Sequence, residues 1–343
     1  MLKKFLNWFF LSVIFVGLII GVFAVVELYC AYAYYKYRDT LKNNLQAIRL
    51  RQPLQNQKFN NYRTDSLGFI LPYTSPDSTS KTVFLLGGST TECLEVSEEK
   101  RIHVEIEKRL DNLSCINMGY SGNHSMHSLN LLANKIISLS PDVVVINHNV
   151  NDLSILLNTG TYFNQHPKRS LILTHSDQLN PYKVGYPKNW FVRTFIPHIS
   201  LVLLPTTFEG QDIPKNNEFS KDALRPDLNI DSLKQLYSKS LTGLVNYAKS
   251  WNVQPVLMTQ ASCFKEFEVE NIEKFKGYNL DSLHKEFNKV VRSVARISDV
   301  SLVDAEKLME DKKEYFYDTV HYTDSGSTFI SNHLAKEIKR LLN

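Results

Sequence analysis

A serine placed directly after a short apolar run carries the clearest chemical signal in the sequence. The run at residues 83–86 ends in Gly87, Gly88 and Ser89. An uncharged apolar run bounded by glycines indicates a buried strand that ends in a tight turn. Ligands of open α/β sheets bind at the carboxyl ends of the strands, so the Ser89 hydroxyl stands where a nucleophile could act. A nucleophilic serine also needs a base and donors that hold an oxyanion.

A carboxylate and an imidazole near the C-terminus could supply the base. Asp318 and His321 are three positions apart in a segment before the last predicted helix. On a turn, this spacing lets the carboxylate bind one imidazole nitrogen while the other faces outward and could take the proton of Ser89. An isolated pair of this kind is more often a solvated polar turn. Asp324 is predicted to be the N-cap of the final helix.

Oxyanion donors are available after two further predicted strands. Residues 117–123 contain Gly119 and Gly122, whose backbone can turn sharply and expose N–H groups. Residues 147–152 offer side-chain amides. Such donors together would form an oxyanion hole, in which each is worth roughly 3–4 kcal/mol in acyl transfer. Either segment alone is explained as an ordinary loop. Four strand-end loops that each supply the required residue type indicate serine-based acyl transfer.

Taken in order, these segments resemble the SGNH hydrolase family, also called the GDSL esterase/lipase family. The resemblance covers roughly residues 82–343 and rests on four blocks: 87–92, 121–123, 149–152 and 318–321. It implies a catalytic triad of Ser89, Asp318 and His321. No metal and no organic cofactor is implied.

The same resemblance implies an oxyanion hole and shows two departures from the family pattern. The hole would consist of the backbone N–H groups of Ser89 and Gly122 and the side chain of Asn151. Gly88 replaces the Asp of the usual Gly-Asp-Ser, which removes no member of the triad. Asn149 stands where the third block commonly has Gly, and we expect it to narrow or reshape the pocket beside Asn151.

Short apolar runs alternate with longer amphipathic ones along the rest of the chain. Strands are predicted at residues 83–86, 114–118, 142–147, 253–259 and 301–304, and helices at residues 98–110, 126–139, 232–251 (capped by Asp231 or Ser232), 280–297 and 324–342. This alternation predicts a parallel sheet with helices on both faces. The expected fold is a three-layer α/β/α sandwich with a mainly parallel, flavodoxin-like sheet.

The pattern breaks in an irregular insert at about residues 153–230. Segments of this length without a period are commonly lids or appended subdomains. Residues 194–204 are apolar and are predicted to pack as a buried helix. The insert carries six aromatic residues that either stack on sugar rings at a cleft or form the insert's own core: Tyr162, Phe163, Tyr182, Tyr186, Trp190 and Phe191.

The N-terminus carries a membrane signal. Between residues 5 and 35 the only charged residue is Glu27. About 20 apolar residues suffice for a helix to span a bilayer, whereas the apolar core of a cleaved signal peptide is usually shorter. We therefore predict a single-pass anchor at residues 1–35, a membrane-proximal stalk and lead-in at 36–80, and the hydrolase-like domain at 81–343. Lys3 and Lys4 favour a cytoplasmic N-terminus and an extracytoplasmic domain.

Composition excludes some other classes of protein. The net charge of +4 is small for 343 residues, and the sequence shows no basic stripe interleaved with aromatic residues. A nucleic-acid partner is therefore not expected. The four cysteines show neither a CxxC pair nor metal-ligand spacing, and their disulfide pairing, if any, is not readable: Cys30, Cys93, Cys115 and Cys263.

The preferred hypothesis is a serine esterase that removes small acyl groups, acetyl above all, from an envelope carbohydrate. An acyltransferase of the same fold acting on a glycan would use the same residues. A lipid esterase is equally compatible with a membrane anchor, and a catalytically silent binding protein is the alternative from another class. The sequence does not indicate an oligomeric state.

Overall fold

The computed structural model describes residues 2–42, 47–59, 62–77, 80–164, 169–173, 228–267 and 278–343. The described residues fall into two compact units. The first contains residues 2–42, 47–48 and 172–173, and the second contains the described residues of 49–171 and 228–343. Most of the predicted insert, including residues 194–204 and the four aromatic residues from Tyr182 to Phe191, lies outside the described residues.

The described elements are numbered here in chain order. The strands are β1 Ala47–Ile48, β2 Lys58–Phe59, β3 Tyr62–Arg63, β4 Lys81–Gly87, β5 Leu113–Asn117, β6 Val143–Asn147, β7 Ile172–Leu173, β8 Gln254–Met258 and β9 Ser301–Val303. The α-helices are α1 Leu2–Lys42, α2 Ser89–Glu92, α3 Ile102–Glu107, α4 Ser125–Leu131, α5 Val150–Thr159, α6 Ile230–Ser250, α7 Leu280–Ile297, α8 Ala305–Leu308 and α9 Asp324–Leu342.

The first unit consists of α1 and a two-stranded antiparallel pair, β1 with β7. The part of α1 from Lys3 to Ala33 is long and apolar enough to cross a membrane. Its large apolar side chains are exposed, as expected for a helix that would meet lipid rather than a protein core.

The second unit is built on a five-stranded parallel sheet in the order β5-β4-β6-β8-β9. Counted along the chain, this order is 2-1-3-4-5, the flavodoxin-like arrangement, whose strand order reverses between β4 and β6. Ligands bind in such sheets at that reversal, outside the carboxyl ends of the strands. The predicted flavodoxin-like sheet is confirmed.

Alternate residues of the strands face opposite layers of helices, because strand side chains point to the two faces in turn. Phe84 and Leu86 of β4 pack into one apolar cluster with residues of α4, α5, α6 and α7. Val83 and Leu85 pack into a second cluster with residues of α3 and α9. Both faces of the sheet are therefore covered, which confirms the three-layer sandwich.

The predicted bounds of helices α7 and α9 agree with the structure. The predicted helix at 98–110 is a 3-10 turn, Glu98–Lys100, followed by α3, with an extended Arg101 between them. The predicted helix at 126–139 begins as α4 and continues as a π-helix, Leu132–Ile136, and a 3-10 turn, Ile137–Leu139.

Three predictions are wrong: the start of the irregular insert and the caps of helices α6 and α9. The chain is not irregular from residue 153, because α5 occupies Val150–Thr159 and buries Leu153, Leu156 and Leu157 at helical spacing. Helix α6 is capped by Asn229, whose side chain accepts from Ser232 N, rather than by Asp231 or Ser232 itself. For α6 the real cap is therefore the residue whose side-chain oxygen reaches an orphan N–H of the first turn.

Helix α9 is capped by Thr323 instead of Asp324. The Thr323 hydroxyl accepts a hydrogen bond from Gly326 N. The Asp324 carboxylate accepts bonds from the backbone N–H and the hydroxyl of Ser97 at 2.8 and 2.6 Å. Asp324 therefore ties the start of the last helix to the segment that follows α2.

Residues 49–59 and 62–77, predicted as part of the stalk and lead-in, lie in the same compact unit as the sheet. Phe69 and Ile70 in this segment are buried. Each of the four cysteines is a free thiol, and three of them, Cys93, Cys115 and Cys263, are buried.

Phe287→Ala tests the packing of the α7 layer. Phe287 is fully buried and stacks on Tyr237 of α6 with ring centroids 5.0 Å apart. We expect the substitution to lower the free energy of unfolding by about 3–5 kcal/mol, because it leaves a cavity the size of an aromatic ring. Urea unfolding of the full chain in detergent measures this. Ile297→Ala in the same helix is the control, since Ile297 is 77% exposed and its loss is expected to change stability by about 0.5 kcal/mol or less.

Candidate active site

Ser89 lies at the carboxyl end of the central strand. Strand β4 ends at Gly87, and Ser89 is the first residue of α2. Its side chain is half-buried, so it is held by the protein and still reached from solvent. Ser89 Oγ lies 2.7 Å from His321 Nε2, although the two residues are 232 positions apart in the sequence. The structure therefore brings the predicted nucleophile and the predicted base into hydrogen-bond contact.

Asp318 binds the other side of the imidazole. Its Oδ2 lies 2.6 Å from His321 Nδ1, and its Oδ1 accepts the backbone N–H groups of Val320 and His321 at 2.9 and 2.8 Å. Burial acts to raise the pKa of the Asp318 carboxyl, but the hydrogen bonds from His321 and Val320 outweigh it and hold this pKa below its ordinary value. Asp318 is therefore a carboxylate at neutral pH.

The hydrogen bonds also set the form of the imidazole. Because Asp318 can only accept, the tautomer that satisfies both contacts carries its proton on His321 Nδ1 and presents a bare Nε2 to Ser89. The turn that holds the pair is closed by a bond from Tyr317 N to His321 O at 3.1 Å. It is joined to the strand layer by a bond from Cys263 N to Thr319 O at 2.7 Å.

Asn151 lies in the first turn of α5, directly after β6. Its side-chain Nδ2 donates to the carbonyl of Asn123 at 3.0 Å. This bond uses one of the two amide hydrogens and leaves the other for a second acceptor. The Asn151 side chain is half-buried, and its Nδ2 lies close to Gly88 in the turn between β4 and α2.

Gly88 is the residue that lets Asn151 come close to the nucleophile turn. A Cβ on Gly88 would lie 2.3 Å from Asn151 Nδ2 and 3.3 Å from the carbonyl of Asn123. Side chains do not approach one another this closely, so glycine is required here for the amide to keep its position. The glycine at position 88, where the resemblance leads one to expect Asp, thus has a steric reason in the structure.

Gly122 lies in the loop after β5 with a φ of +78°, in the left-handed region that glycine enters without strain. It directly precedes Asn123, whose carbonyl accepts from Asn151. The five predicted site residues thus form two linked groups: Ser89, His321 and Asp318 are in contact, and Asn151 and Gly122 adjoin the turn that carries Ser89. Their roles in an oxyanion hole stay a prediction.

Asn149 does not narrow this pocket with its side chain. It is buried, and its Nδ2 donates to His284 O and to Asn288 Oδ1 of α7, both at 2.8 Å. The amide thus binds a neighbouring helix instead of lying beside Asn151. The expected reshaping of the pocket by this residue was wrong, because the polar environment inside the fold offers its amide better partners.

Glu92 fastens the nucleophile helix to the loop that carries Gly122, a role that sequence reasoning missed. Its carboxylate accepts both the backbone N–H of Ser121, at 2.8 Å, and the Ser121 hydroxyl, and it accepts from Tyr62 Oη at 3.4 Å. Burial raises the pKa of the Glu92 carboxyl, although these hydrogen bonds oppose the shift. A glutamate within an otherwise uncharged block was the only sequence signal for this role.

Arg51 holds the same loop from another side and was also missed. Its Nη1 and Nη2 donate to the carbonyls of Gly122 and Ser121, each at 3.0 Å, and its own carbonyl accepts from Asn123 Nδ2 at 2.9 Å. Its guanidinium lies 5.2 Å from the centre of the Tyr120 ring. No sequence pattern marks Arg51, because its contacts depend on how a distant segment packs.

A buried polar network supports the start of α5. The Asp152 carboxylate accepts from Ser125 N at 3.0 Å and from Tyr162 Oη at 2.7 Å. Tyr162 is thus a core residue with its hydroxyl satisfied, whereas Phe163 is exposed. His148 lies 3.7 Å from the same carboxylate, and burial lowers its pKa to about 3. The imidazole is therefore neutral near pH 7.

The side chains in the described part of the chain include no group of three or more His, Cys, Asp or Glu residues that could hold a metal ion. The buried imidazoles of His124 and His127 stack with ring centres 3.7 Å apart. Burial lowers the pKa of both below the ordinary range.

Comparison with known proteins adds the following. No family model and no curated protein matches the chain. Among solved structures, it is similar to a lipase/acylhydrolase from Enterococcus faecalis, with 14% identity, a TM-score of 0.45 and coverage of 76% of this chain and 96% of that one. A GDSL-like lipase from Bacteroides thetaiotaomicron matches with 18% identity, a TM-score of 0.44 and coverage of 78% and 90%. An acetylxylan esterase from Geobacillus stearothermophilus matches with 13% identity, a TM-score of 0.43 and coverage of 76% and 96%.

Asp152→Asn tests the buried network by its pH dependence. Burial raises the pKa of the Asp152 carboxyl from 3.8 to about 6. Between these values the folded chain keeps a proton that the unfolded chain releases, so this group lowers the stability of the wild type as pH rises through the interval. The variant lacks this titration. We expect its free energy of unfolding, relative to wild type, to increase by on the order of 3 kcal/mol from about pH 4 to about pH 7.

Urea unfolding of both proteins in detergent at the two pH values gives this difference. The neighbouring histidines titrate in both proteins, so their contribution cancels in the comparison. A stability difference that stays constant between the two pH values would show that the pKa of Asp152 is the same in the folded and unfolded chains, so that burial does not shift its titration.

Proposed function

We propose that the chain is a serine esterase of the SGNH hydrolase type that removes small acyl groups, acetyl above all, from a carbohydrate of the cell envelope. One observation carries the proposal: Ser89 Oγ is 2.7 Å from His321 Nε2, and His321 Nδ1 is 2.6 Å from Asp318 Oδ2. A hydroxyl, an imidazole and a carboxylate in this order are the arrangement that activates a serine for attack on an ester.

The first half of the reaction transfers the acyl group to the enzyme. As Ser89 Oγ attacks the ester carbonyl, its proton passes to His321 Nε2. The Asp318 carboxylate stabilises the imidazolium that results. His321 then gives this proton to the departing alcohol oxygen, and the acyl group remains bound to Ser89 as an ester.

The negative charge of the tetrahedral intermediate rests on three donors. These are the N–H groups of Ser89 and Gly122 and the second amide hydrogen of Asn151. Donors fixed in advance by the protein stabilise such a charge without having to reorient during the reaction. A water molecule, deprotonated by His321, attacks the acyl-enzyme in the second half and releases the acid.

The location of the substrate follows from the N-terminal helix. We assign Lys3–Ala33 as a single-pass anchor, since its length and apolar composition suffice for a span. With the N-terminus in the cytoplasm, the sheet unit lies outside it and meets esters of the envelope. The exposed Phe163 supplies an aromatic ring of the kind that stacks on sugar rings, which is compatible with a carbohydrate substrate.

Ser89→Ala tests the proposed function directly. We expect loss of p-nitrophenyl acetate hydrolysis and of covalent labelling by a fluorophosphonate, with an unchanged unfolding transition, because only one hydroxyl is removed. The control is Ser250→Ala, which removes a hydroxyl bonded within its own helix to Tyr247 O. Hydrolysis by the Ser89→Ala variant, or a wild type that stays unlabelled while folded, contradicts the proposal. Slower hydrolysis of butyrate and octanoate esters is expected for an enzyme that removes small acyl groups.

Asn151→Ala tests the oxyanion hole. We expect kcat to fall by roughly 10²–10³ with little change in KM, since the amide acts on the transition state more than on the bound ester. Gly88→Ala is expected to act in the same direction, because its Cβ would displace the Asn151 amide. Asn158→Ala is the matched control in the same helix, as its side chain bonds only to Ser154 O among the described residues. A normal kcat for the Asn151 variant would place the oxyanion elsewhere.

A further inference from the structure

Two guanidinium groups converge on one point beside the loop that carries Gly122. A Cβ built on Gly122 would lie 3.5 Å from Arg51 Nη1 and 3.5 Å from both Nε and Nη2 of Arg169. Because residue 122 is a glycine, no side chain occupies that point. Both arginines are half-buried, so their charges are partly shielded from water and still reached from solvent.

This point is close to the proposed reaction centre. Gly122 precedes Asn123, whose carbonyl accepts from Asn151 and lies 3.3 Å from the Cβ position of Gly88. Gly88 in turn precedes Ser89. The guanidinium pair therefore flanks the residue that precedes Asn123, and the Asn123 carbonyl lies beside the turn that carries Ser89.

The charge of Arg51 is not neutralised by a contacting carboxylate in the part of the chain that the structure describes. Its side chain donates to two neutral carbonyls, those of Ser121 and Gly122. The nearby Glu92 carboxylate is instead bound to Ser121 and Tyr62. Two of the five N–H donors of Arg51 are used in this way, and the fork geometry of the remaining ones suits an anionic oxygen pair.

The two arginines also act on each other. Burial, together with the smaller effects of the positive charges of Arg169 and Arg49, lowers the pKa of Arg51 to about 10, against the opposing effects of Tyr120 and Glu92. Burial likewise lowers the pKa of Arg169, with Asp152 opposing. Like charges held together in a half-buried place destabilise one another, and a bound anion would remove that repulsion.

We propose that Arg51 and Arg169 form a subsite for a carboxylate that the ester substrate carries, on its alcohol part or on its acyl part. This inference rests on the proposed function and names the chemical class of its substrate. A carboxylate on the alcohol part would make the carbohydrate an acidic sugar that carries an acetyl group. A carboxylate on the acyl part would make the transferred group a dicarboxylic acid monoester instead of acetate.

The experiment compares esters that differ only in this charge, using the full chain in detergent. For the alcohol part, the pair is 4-acetoxybenzoate and its methyl ester. For the acyl part, the pair is p-nitrophenyl hydrogen adipate and p-nitrophenyl methyl adipate. The quantity compared is the ratio of kcat/KM for the anionic ester to kcat/KM for the neutral one, in wild type and in each variant, so that intrinsic differences in ester reactivity cancel.

In at least one pair, we expect Arg51→Gln and Arg169→Gln each to lower this ratio about 10- to 100-fold, the effect of losing a hydrogen bond to a charged group. Arg51→Lys keeps the charge but loses the bonds to two carbonyls. It is expected to slow both esters of a pair equally while preserving most of the ratio. Arg340→Gln, an exposed arginine paired with Glu337, removes the same charge elsewhere and should leave the ratio unchanged.

Ratios that stay within about twofold of wild type in both glutamine variants and in both ester pairs would overturn the subsite. The pair that responds identifies the part of the substrate that carries the charge. If the wild type hydrolyses none of the four esters and Ser89 stays unlabelled, the proposed function fails. Calorimetric titration with 4-hydroxybenzoate then decides the subsite alone: binding that both glutamine variants lose supports it, and absent or unaltered binding overturns it.

Discussion

The arrangement of the site depends on the pairing of two adjacent parallel strands. Gly87 at the end of β4 is in register with Asn147 at the end of β6. The strand order reverses between these two strands, so the connections that leave them do not cross over one another. A crevice therefore remains between the ends of the two strands. Ser89 and Asn151 begin the helices that follow. A register shift of a single residue would invert the faces of β6 and remove Asn151 from the turn of Ser89.

The Asp318–His321 half of the proposed triad is held by a different kind of constraint. The Asp318–His321 turn is closed by its own backbone and carboxylate bonds, and it is joined to the segment after β8 through Cys263 N. Inside the sheet unit, the buried Asp152 carboxylate and the Asn149 amide nitrogen also bind partners from other segments. These networks are costly when broken, so they fix the geometry of loops that apolar packing alone would leave loose.

The sequence was sufficient where a strong local pattern has no local competitor. The apolar run before Ser89 and the amphipathic period of helices α7 and α9 predicted strands, helices and their order, and the Asp318–His321 spacing predicted their contact. It was insufficient where competing local partners or distant packing decide. Thr323 and Asn229 cap their helices because each is better placed than the neighbouring residue that was predicted for that role. Arg51 reaches its loop across 71 positions, and no local pattern encodes that contact.

Substitution of Arg51 removes two effects at once: its hydrogen bonds to a loop and its positive charge. Its bonds to Ser121 and Gly122 hold the loop that carries Gly122, a donor of the proposed oxyanion hole, and this effect would be the same for every ester. In the proposed mechanism its positive charge would also act on every ester, since both forms of a substrate develop the oxyanion on the same oxygen. Only an interaction with a second, permanent charge distinguishes one substrate from another. Arg169 approaches the Cβ position of Gly122 as Arg51 does, and in the proposed subsite its substitution is a second test of charge recognition.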